Sequence, residues 1–398
     1  RIEFSSLPAG STNLKVALSE DGINYSTPVP LAFADTSSPV THYLDNGKTY
    51  YVKILGTNAS GDGPLSAAFG STVTVGPKTQ IKTSGTVKNA YLMGTFAEVG
   101  VRANGAFGTD IAPPSDFNPS PGYTCLGFRV DRDKDGWGNT IDDGDFFCPG
   151  SPYEGWFLKV GDSGADFHNR DTSTAIPGEL SDVNAADGIQ SVKWTSTGLI
   201  TGSSGNATTE GLSLVQVATV PDSGQVLHID ITLKNSSSAA VNNVYYARAF
   251  DPDNASGPGT FTSTNTVVSR SNPAEVRSTW SNNSLILLKS NEPNARAALR
   301  QSGLQGSSAK DIWDAPTSSL NAGGWTSNPT PLAVDAGTGV ALKFDSIGPG
   351  ESKTFRISYV LSDNEANLPT APIIDSVQPG NGQLSVNFTQ SEKNPTNY

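Results

Sequence analysis

Little of this 398-residue sequence is charged. Asp, Glu, Lys and Arg make up 16% of it, and the acids outnumber the bases to leave a net charge of −12. A nucleic-acid binder needs a basic footprint, as does a protein that docks on anionic lipid, so the charge balance argues against both. There are two cysteines, three histidines and one methionine. No Cys/His spacing fits a zinc site. No stretch approaches the roughly 20 apolar residues that cross a bilayer as a helix, so no membrane insertion is expected. The sequence opens on Arg1-Ile2-Glu3-Phe4 with no visible export signal. An exported protein would carry that address upstream of this segment, or would have lost it.

What the sequence does have is glycine (41), proline (26) and much Ser, Thr and Asn. Runs of β-branched and aromatic residues lie between Gly/Pro/Asn/Asp/Ser clusters, which predicts an all-β fold. Only residues 294–304, rich in Ala, Leu and Arg, read as a helix. The length suits two or three domains.

The two ends read as two parts of one unit. Asn394-Pro395-Thr396-Asn397-Tyr398 followed by Arg1-Ile2-Glu3-Phe4 gives an alternating polar/apolar strand. Strand-like segments follow at 14–18, 25–31, 39–44, 49–55 and 67–75, with turns at Asp21-Gly22 and Asp45-Asn46-Gly47. Near the other end, strands at 373–377 and 383–389 flank Pro379-Gly380-Asn381-Gly382, a strong turn signal.

These segments resemble a fibronectin type III domain. Leu44 followed by Tyr50 matches that family's tyrosine corner, and Asn58-Ala59-Ser60-Gly61-Asp62-Gly63 matches the turn after its sixth strand. Pro372 and the strands after it are similar to the family's first two strands, with Leu384, Val386 and Phe388 where a tryptophan is usual. The resemblance implies a sandwich split between residues 369–398 and 1–76, together roughly 105 residues, the size of one such domain. Three arrangements would place the halves in this order. A tail may complete the head of the next copy by strand addition, a tandem array may be cut at an arbitrary point, or the chain may close on itself. The first makes identical subunits the partners, head to tail, through a seam of Arg1, Ile2, Glu3, Phe4, Leu384, Val386, Phe388, Asn397 and Tyr398.

Residues 77–368 read as a large β-sandwich region with a loop-rich insertion at about 103–190. Strands are expected at 78–91, 97–102, 212–220, 225–234, 241–250, 324–344 and 353–361, with a turn at Gly348-Pro349-Gly350-Glu351. Within the insertion, Asp131, Asp133 and Asp135 alternate ahead of Gly136. That spacing gathers carboxylates round one point and lets the chain turn sharply, as in an EF-hand-type calcium loop. The Trp137 carbonyl, Asp142 and Asp143 complete the candidate ligand set. No helix pattern flanks the loop, so it resembles the calcium loops of dockerins and thrombospondin type 3 repeats, and calcium is the expected cofactor. The competing reading is a solvated acidic loop. Asp251 and Asp253 form a second candidate metal site, although such residues also favour turns.

Cys125 and Cys148 bracket the acidic stretch. In an exported protein they would form a disulfide closing a loop of about 24 residues, worth on the order of 3 kcal/mol; otherwise they are two buried thiols.

Gly161-Asp162-Ser163-Gly164 copies a serine-protease core motif, but the chemistry needs a base for the serine. Of His42, His168 and His228, none sits in a supporting motif, so the segment reads as a turn. Trp137, Tyr153, Trp156, Trp313 and Trp325 read as loop aromatics that either stack on sugars or cap the sandwich.

The expectation is a non-enzymatic structural protein, secreted or on a bacterial cell surface. It would be a filament, sheath or adhesin unit, joined by strand complementation and stiffened by calcium. A carbohydrate-binding or carbohydrate-active module, with surface polysaccharide as partner, is the alternative, and a phage fibre is the third reading.

Overall fold

A computed structural model describes residues 10–19, 21–31, 49–68, 73–74, 79–120, 122–132, 144–148, 154–164, 166–170, 176–184, 189–200, 211–221, 224–253, 263–280, 284–301, 303–304, 306–318, 324–334, 336–361, 373–380 and 383–389. Among them the fold is nearly all β, in antiparallel sheets, with one short helix at Ala309–Trp313.

Two sheets enclose the main core. The larger has nine strands, in the order Gly178–Asn184, Ile189–Ser196, Leu212–Pro221, Val226–Asn235, Ser352–Val360, Leu285–Ser290, Ala274–Thr279, Ser263–Ser269 and Leu332–Val334. The smaller has six: Asp166–Arg170, Glu154–Val160, Val241–Phe250, Gly337–Ile347, Ala295–Arg300 and Trp325–Thr326. A four-stranded sheet of Thr79–Ser84, Val87–Met93, Ala97–Val101 and Phe128–Val130 adds its apolar side chains to the same core.

Period-two alternation builds the large sheet. Leu212, Leu214, Ala218 and Val220 point inward on one strand, and Leu227, Ile229, Ile231 and Leu233 on the next. They meet Trp156, Leu158, Tyr246, Val340 and Leu342 of the six-stranded sheet. Fully burying such a side chain contributes about 1.5–3 kcal/mol, so this face sets the register. The opposite face of the six-stranded sheet is covered as well. Phe157, Tyr245, Ala247, Ala249 and Ala298 pack there against Ala309 and Ile312 of the helix and against Trp325.

A buried polar network ties the three sheets together. Arg248 and Glu154, both on the six-stranded sheet, form a 2.7 Å ion pair with side chains 1% and 0% exposed. Glu154 also accepts from the Tyr359 hydroxyl of the large sheet at 2.9 Å and from the Phe107 N–H at 2.8 Å. Arg248 donates to Gln216 Oε1 at 2.6 Å and to the Gly105 carbonyl at 2.7 Å. Tyr246 donates to the same Gln216 oxygen at 2.9 Å. Burial pushes the Glu154 carboxyl up, and Arg248 pulls it back. The turn at residues 102–106 is the plug that delivers Gly105. The Ala103 and Asn104 carbonyls accept from the Trp194 and Trp156 indoles at 2.9 and 3.0 Å. Gly105 has φ +78°, and a Cβ there would press on Trp194 at 3.0 Å, so the position requires glycine.

Several sequence expectations need correction. Residues 294–304 are not a helix: Ala295–Arg300 pairs with Gly337–Ile347 in the six-stranded sheet. Helix propensity there is outweighed by packing of Ala295, Ala297 and Leu299 in the core. The insertion at about 103–190 is not all loop. It contributes Phe128–Val130, Glu154–Val160, Asp166–Arg170 and Gly178–Asn184, and the second of these is buried along its whole length. Trp156 is therefore a core residue, 0% exposed. Trp325 lies in a strand and Trp313 in the helix.

At the N-terminal end, five strands between Asn13 and Thr74 form a separate sheet. Its order is Val29–Leu31, Asn13–Ser19, Thr49–Asn58 and Gly61–Asp62, with Val73–Thr74 also on Thr49–Asn58. Leu14, Val16, Tyr50 and Val52 are buried in it. The Asp21-Gly22 turn is as expected: Asp21 accepts from the N–H groups of Ile23 and Asn24, both at 2.8 Å, which holds its carboxyl below the usual range. At the other end, Ile373–Gly380 and Gln383–Thr389 form a two-stranded hairpin. Leu384, Val386 and Phe388 lie on its second strand. Among the described residues, neither strand pairs with the 10–74 sheet. Arg1, Ile2, Glu3, Phe4, Asn397 and Tyr398, and the expected strand at 39–44, lie outside the described residues.

Candidate functional site: the clamped acidic loop

The acidic loop is held at both feet by buried structure. On the entering side, Phe128–Val130 pairs with Ala97–Val101, and the Asp131 N–H donates to the Phe96 carbonyl at 2.9 Å. Gln225, itself buried, donates its amide to the Asp131 and Arg132 carbonyls at 2.7 and 2.9 Å. Arg132 reaches Ser284 Oγ at 3.3 Å. On the returning side, the Val130 N–H donates to the Gly144 carbonyl at 3.3 Å, and Phe146 packs edge-on against Trp280 at 5.3 Å.

Asp145 is the keystone of the returning side. Its carboxylate accepts four backbone N–H bonds: Gly127 at 2.7 Å, Phe128 at 3.1 Å, Phe147 at 2.9 Å and Cys148 at 3.0 Å. The carboxylate is fully buried, and desolvation raises its pKa against those donors. A Cβ at position 127 would meet Asp145 Oδ1 at 2.5 Å, so only glycine lets the backbone come this close. Cys125 and Cys148 are joined as a disulfide, with Cα atoms 6.2 Å apart. The expected covalent clamp is present.

Asp131 is 2% exposed at the loop entrance. Asp133, Asp135, Trp137, Asp142 and Asp143 lie outside the described residues. Among the described residues, no group of three or more His, Cys, Asp or Glu side chains could hold a metal ion. The calcium expectation depends on side chains outside the described residues. Asp251 and Asp253 directly follow Val241–Phe250, half-buried, and the Asp253 N–H donates to the Asp251 carbonyl at 3.0 Å. That is the geometry of a tight turn, with both residues bonded within the protein.

Gly161-Asp162-Ser163-Gly164 is the hairpin turn between Glu154–Val160 and Asp166–Arg170. Gly161 has φ +77°, and Asp162 accepts from Tyr245 at 2.7 Å and from Asn243 at 3.0 Å. His168 lies beside the Phe157 ring, on the strand opposite it. His228 does touch a serine: its Nδ1 lies 2.8 Å from Ser358 Oγ on the outer face of the large sheet. Among the described residues no acid is hydrogen-bonded to this ring; Asp230 on the same strand accepts from Arg356 at 2.6 and 2.7 Å.

Sequence reasoning missed two features. One is the cavity beside the helix, walled by Trp325 and Arg300. The other is the helix itself, whose Ser308-x-x-Asp311 capping box was the readable signal.

No protein-family model matches the chain, and no curated protein does. Among solved structures, a TPR-domain containing protein from Parabacteroides distasonis ATCC 8503 is 9% identical, with a TM-score of 0.32; the match covers 83% of this chain and 55% of that one. A putative aldose 1-epimerase from Klebsiella pneumoniae subsp. pneumoniae MGH 78578 is also 9% identical, with a TM-score of 0.29, over 79% of this chain and 84% of that one. Likenesses this distant carry no argument about function.

Proposed function

We propose that this protein is a non-enzymatic, extracellular structural module of a bacterial surface, linked to copies of itself by completing a split fibronectin type III-like sandwich. One observation carries the reading. The 10–74 sheet and the 373–389 hairpin are separate β units with no hydrogen-bonded pairing between them among the described residues. In such sandwiches the third, sixth and seventh strands share a sheet, while the first two lie in the facing one. In this reading Thr49–Asn58 stands for the sixth strand, and Ile373–Gly380 with Gln383–Thr389 for the first two. A lone two-stranded hairpin is marginal in water, so it gains most by docking on a sheet. The disulfide supports an oxidising compartment.

In this reading the central sandwich is the rigid spacer. Calcium, held by Asp131, Asp133, Asp135, the Trp137 carbonyl and Asp142 with Asp143, would neutralise the acidic loop and stiffen it. Light scattering after size exclusion tests the proposal on the full chain, with calcium and with chelator. The expected outcome is concentration-dependent oligomers that Val386→Pro abolishes, because proline removes a ladder donor in the hairpin. Chelation should lower the melting temperature while leaving the disulfide intact. A monodisperse monomer at every concentration, or oligomers indifferent to Val386→Pro, overturns the linkage. Melting that ignores both added calcium and chelator overturns the metal assignment.

A further inference from the structure

A cavity of about 290 Å³ opens beside the Ala309–Trp313 helix, on the outer side of the six-stranded sheet. Its wall is preassembled. Ser307 Oγ accepts from Arg300 at 2.6 Å and from the Trp325 indole N–H at 3.0 Å. Arg300 also donates to the Gly303 carbonyl at 2.8 Å. Asp311 is fixed by the Ser308 N–H at 3.1 Å, and Asp314 by its ion pair with Lys310. Behind the indole, Gly339 leaves room that a Cβ would fill, at 3.1 Å from Trp325. Groups already locked by neighbours lose little freedom when a ligand arrives.

The lining selects a chemical class. It offers two carboxylates (Asp311, Asp314), one guanidinium (Arg300) and an apolar patch made by Trp325, Ala315 and Pro316. An anion would face the two carboxylates, and a cation would face Arg300. A neutral polyol uses all three: its hydroxyls donate to the carboxylates and accept from the guanidinium, and its C–H face packs on exposed Pro316 and the rim of the indole, which is 7% exposed. The volume lies at the small end for ligand sites, enough for one ring. We propose that this cavity binds one ring of a neutral saccharide. The inference stands apart from the linkage reading, since no residue of the 10–74 sheet or the hairpin lines the cavity.

The test is calorimetric titration of the full chain with cellotriose, maltotriose, mannotriose and triacetylchitotriose, with trigalacturonate as the anionic control. Running it also on the Val386→Pro chain separates this result from the state of assembly. The expected result is saturable binding of at least one neutral trisaccharide with quenching of tryptophan fluorescence. Asp314→Asn and Arg300→Gln should each weaken it about tenfold. Should Arg300→Gln unfold, Asp314→Asn still decides, because that carboxylate is 49% exposed at the rim. Three results overturn the proposal: no binding of any neutral sugar up to roughly 10 mM, binding unchanged by Asp314→Asn, or trigalacturonate binding as tightly.

Discussion

The central sandwich holds the same chemical pair in two settings. Inside it, Glu154 and Arg248 meet with side chains 0% and 1% exposed. On the outer face of the nine-stranded sheet, Asp230 and Arg356 sit directly opposite each other with side chains 35% and 41% exposed. Both pairs have short, well-directed bonds. Their surroundings differ, and surroundings decide the energy. Water screens the outer pair, while the inner pair has given up water altogether and relies on Tyr359, Gln216, Gly105 and Phe107 to replace it. A carboxylate–guanidinium bridge therefore says little about stability until its burial is known.

Breaking the inner pair on one side gives the largest expected effect. Arg248→Met leaves Glu154 buried without its counter-ion and should cost about 3–5 kcal/mol in denaturant unfolding. The double variant Arg248→Met with Glu154→Gln should recover much of that, since the glutamine oxygen can still accept from the Phe107 N–H while its amide N–H donates to the Tyr359 hydroxyl, which can turn to accept. A single variant no worse than the double would erase the distinction between the two settings.

An intermediate effect is expected from His228, which shares the outer face with Asp230. Burial, then the Arg356 charge, lower its pKa to about 4 from the ordinary 6.5, against the pull of Asp230. The unfolded chain takes up the proton first as pH falls. Stability present above pH 6.5 is therefore lost progressively toward pH 4. The loss should amount to about 1–3 kcal/mol, reduced by screening on this partly open face. His228→Gln should flatten that part of the melting-temperature profile, and equal slopes in both chains would show that the outer face is not the source.

The smallest effect belongs to the outer pair. Arg356→Ala should cost no more than about 1 kcal/mol, and 0.5 M salt should lower it further, to roughly half. A loss comparable to that of Arg248→Met would mean that the outer face is covered in solution.

Where burial is one-sided, the sequence was readable. Residues 212–220 and 225–234 matched their strands within a residue or two, and 241–250 matched end to end although both of its faces are covered. The Gly348–Glu351 turn was legible too, with the Glu351 N–H returning to the Gly348 carbonyl at 3.0 Å. Glu154–Val160 was not, because Trp156 and Leu158 face the main core while Phe157 faces the helix, so the three run together with no polar residue between them. Ala295–Arg300 read as helix because Ala, Leu and Arg favour helix locally, and only its long-range pairing decides otherwise. Of the acidic loop, the disulfide was legible from position and compartment. The four-donor seat of Asp145 was not, because it is assembled from backbone that the sequence does not display. The cavity arises where the Ala309–Trp313 helix and residues 314–316 lie over the six-stranded sheet, a juxtaposition without local periodicity.

One feature of the large sheet has a mechanical side. The chain leaves the sandwich through Ser352–Val360, an interior strand with Val226–Asn235 on one flank and Leu285–Ser290 on the other. A pull on residue 361 would not peel a rim strand away one bond at a time. It would have to wrench out a strand held by Val226–Asn235 along its whole length and by Leu285–Ser290 at Ser358–Val360 as well. At this exit the sandwich should resist such a pull longer than the two-stranded hairpin beyond it.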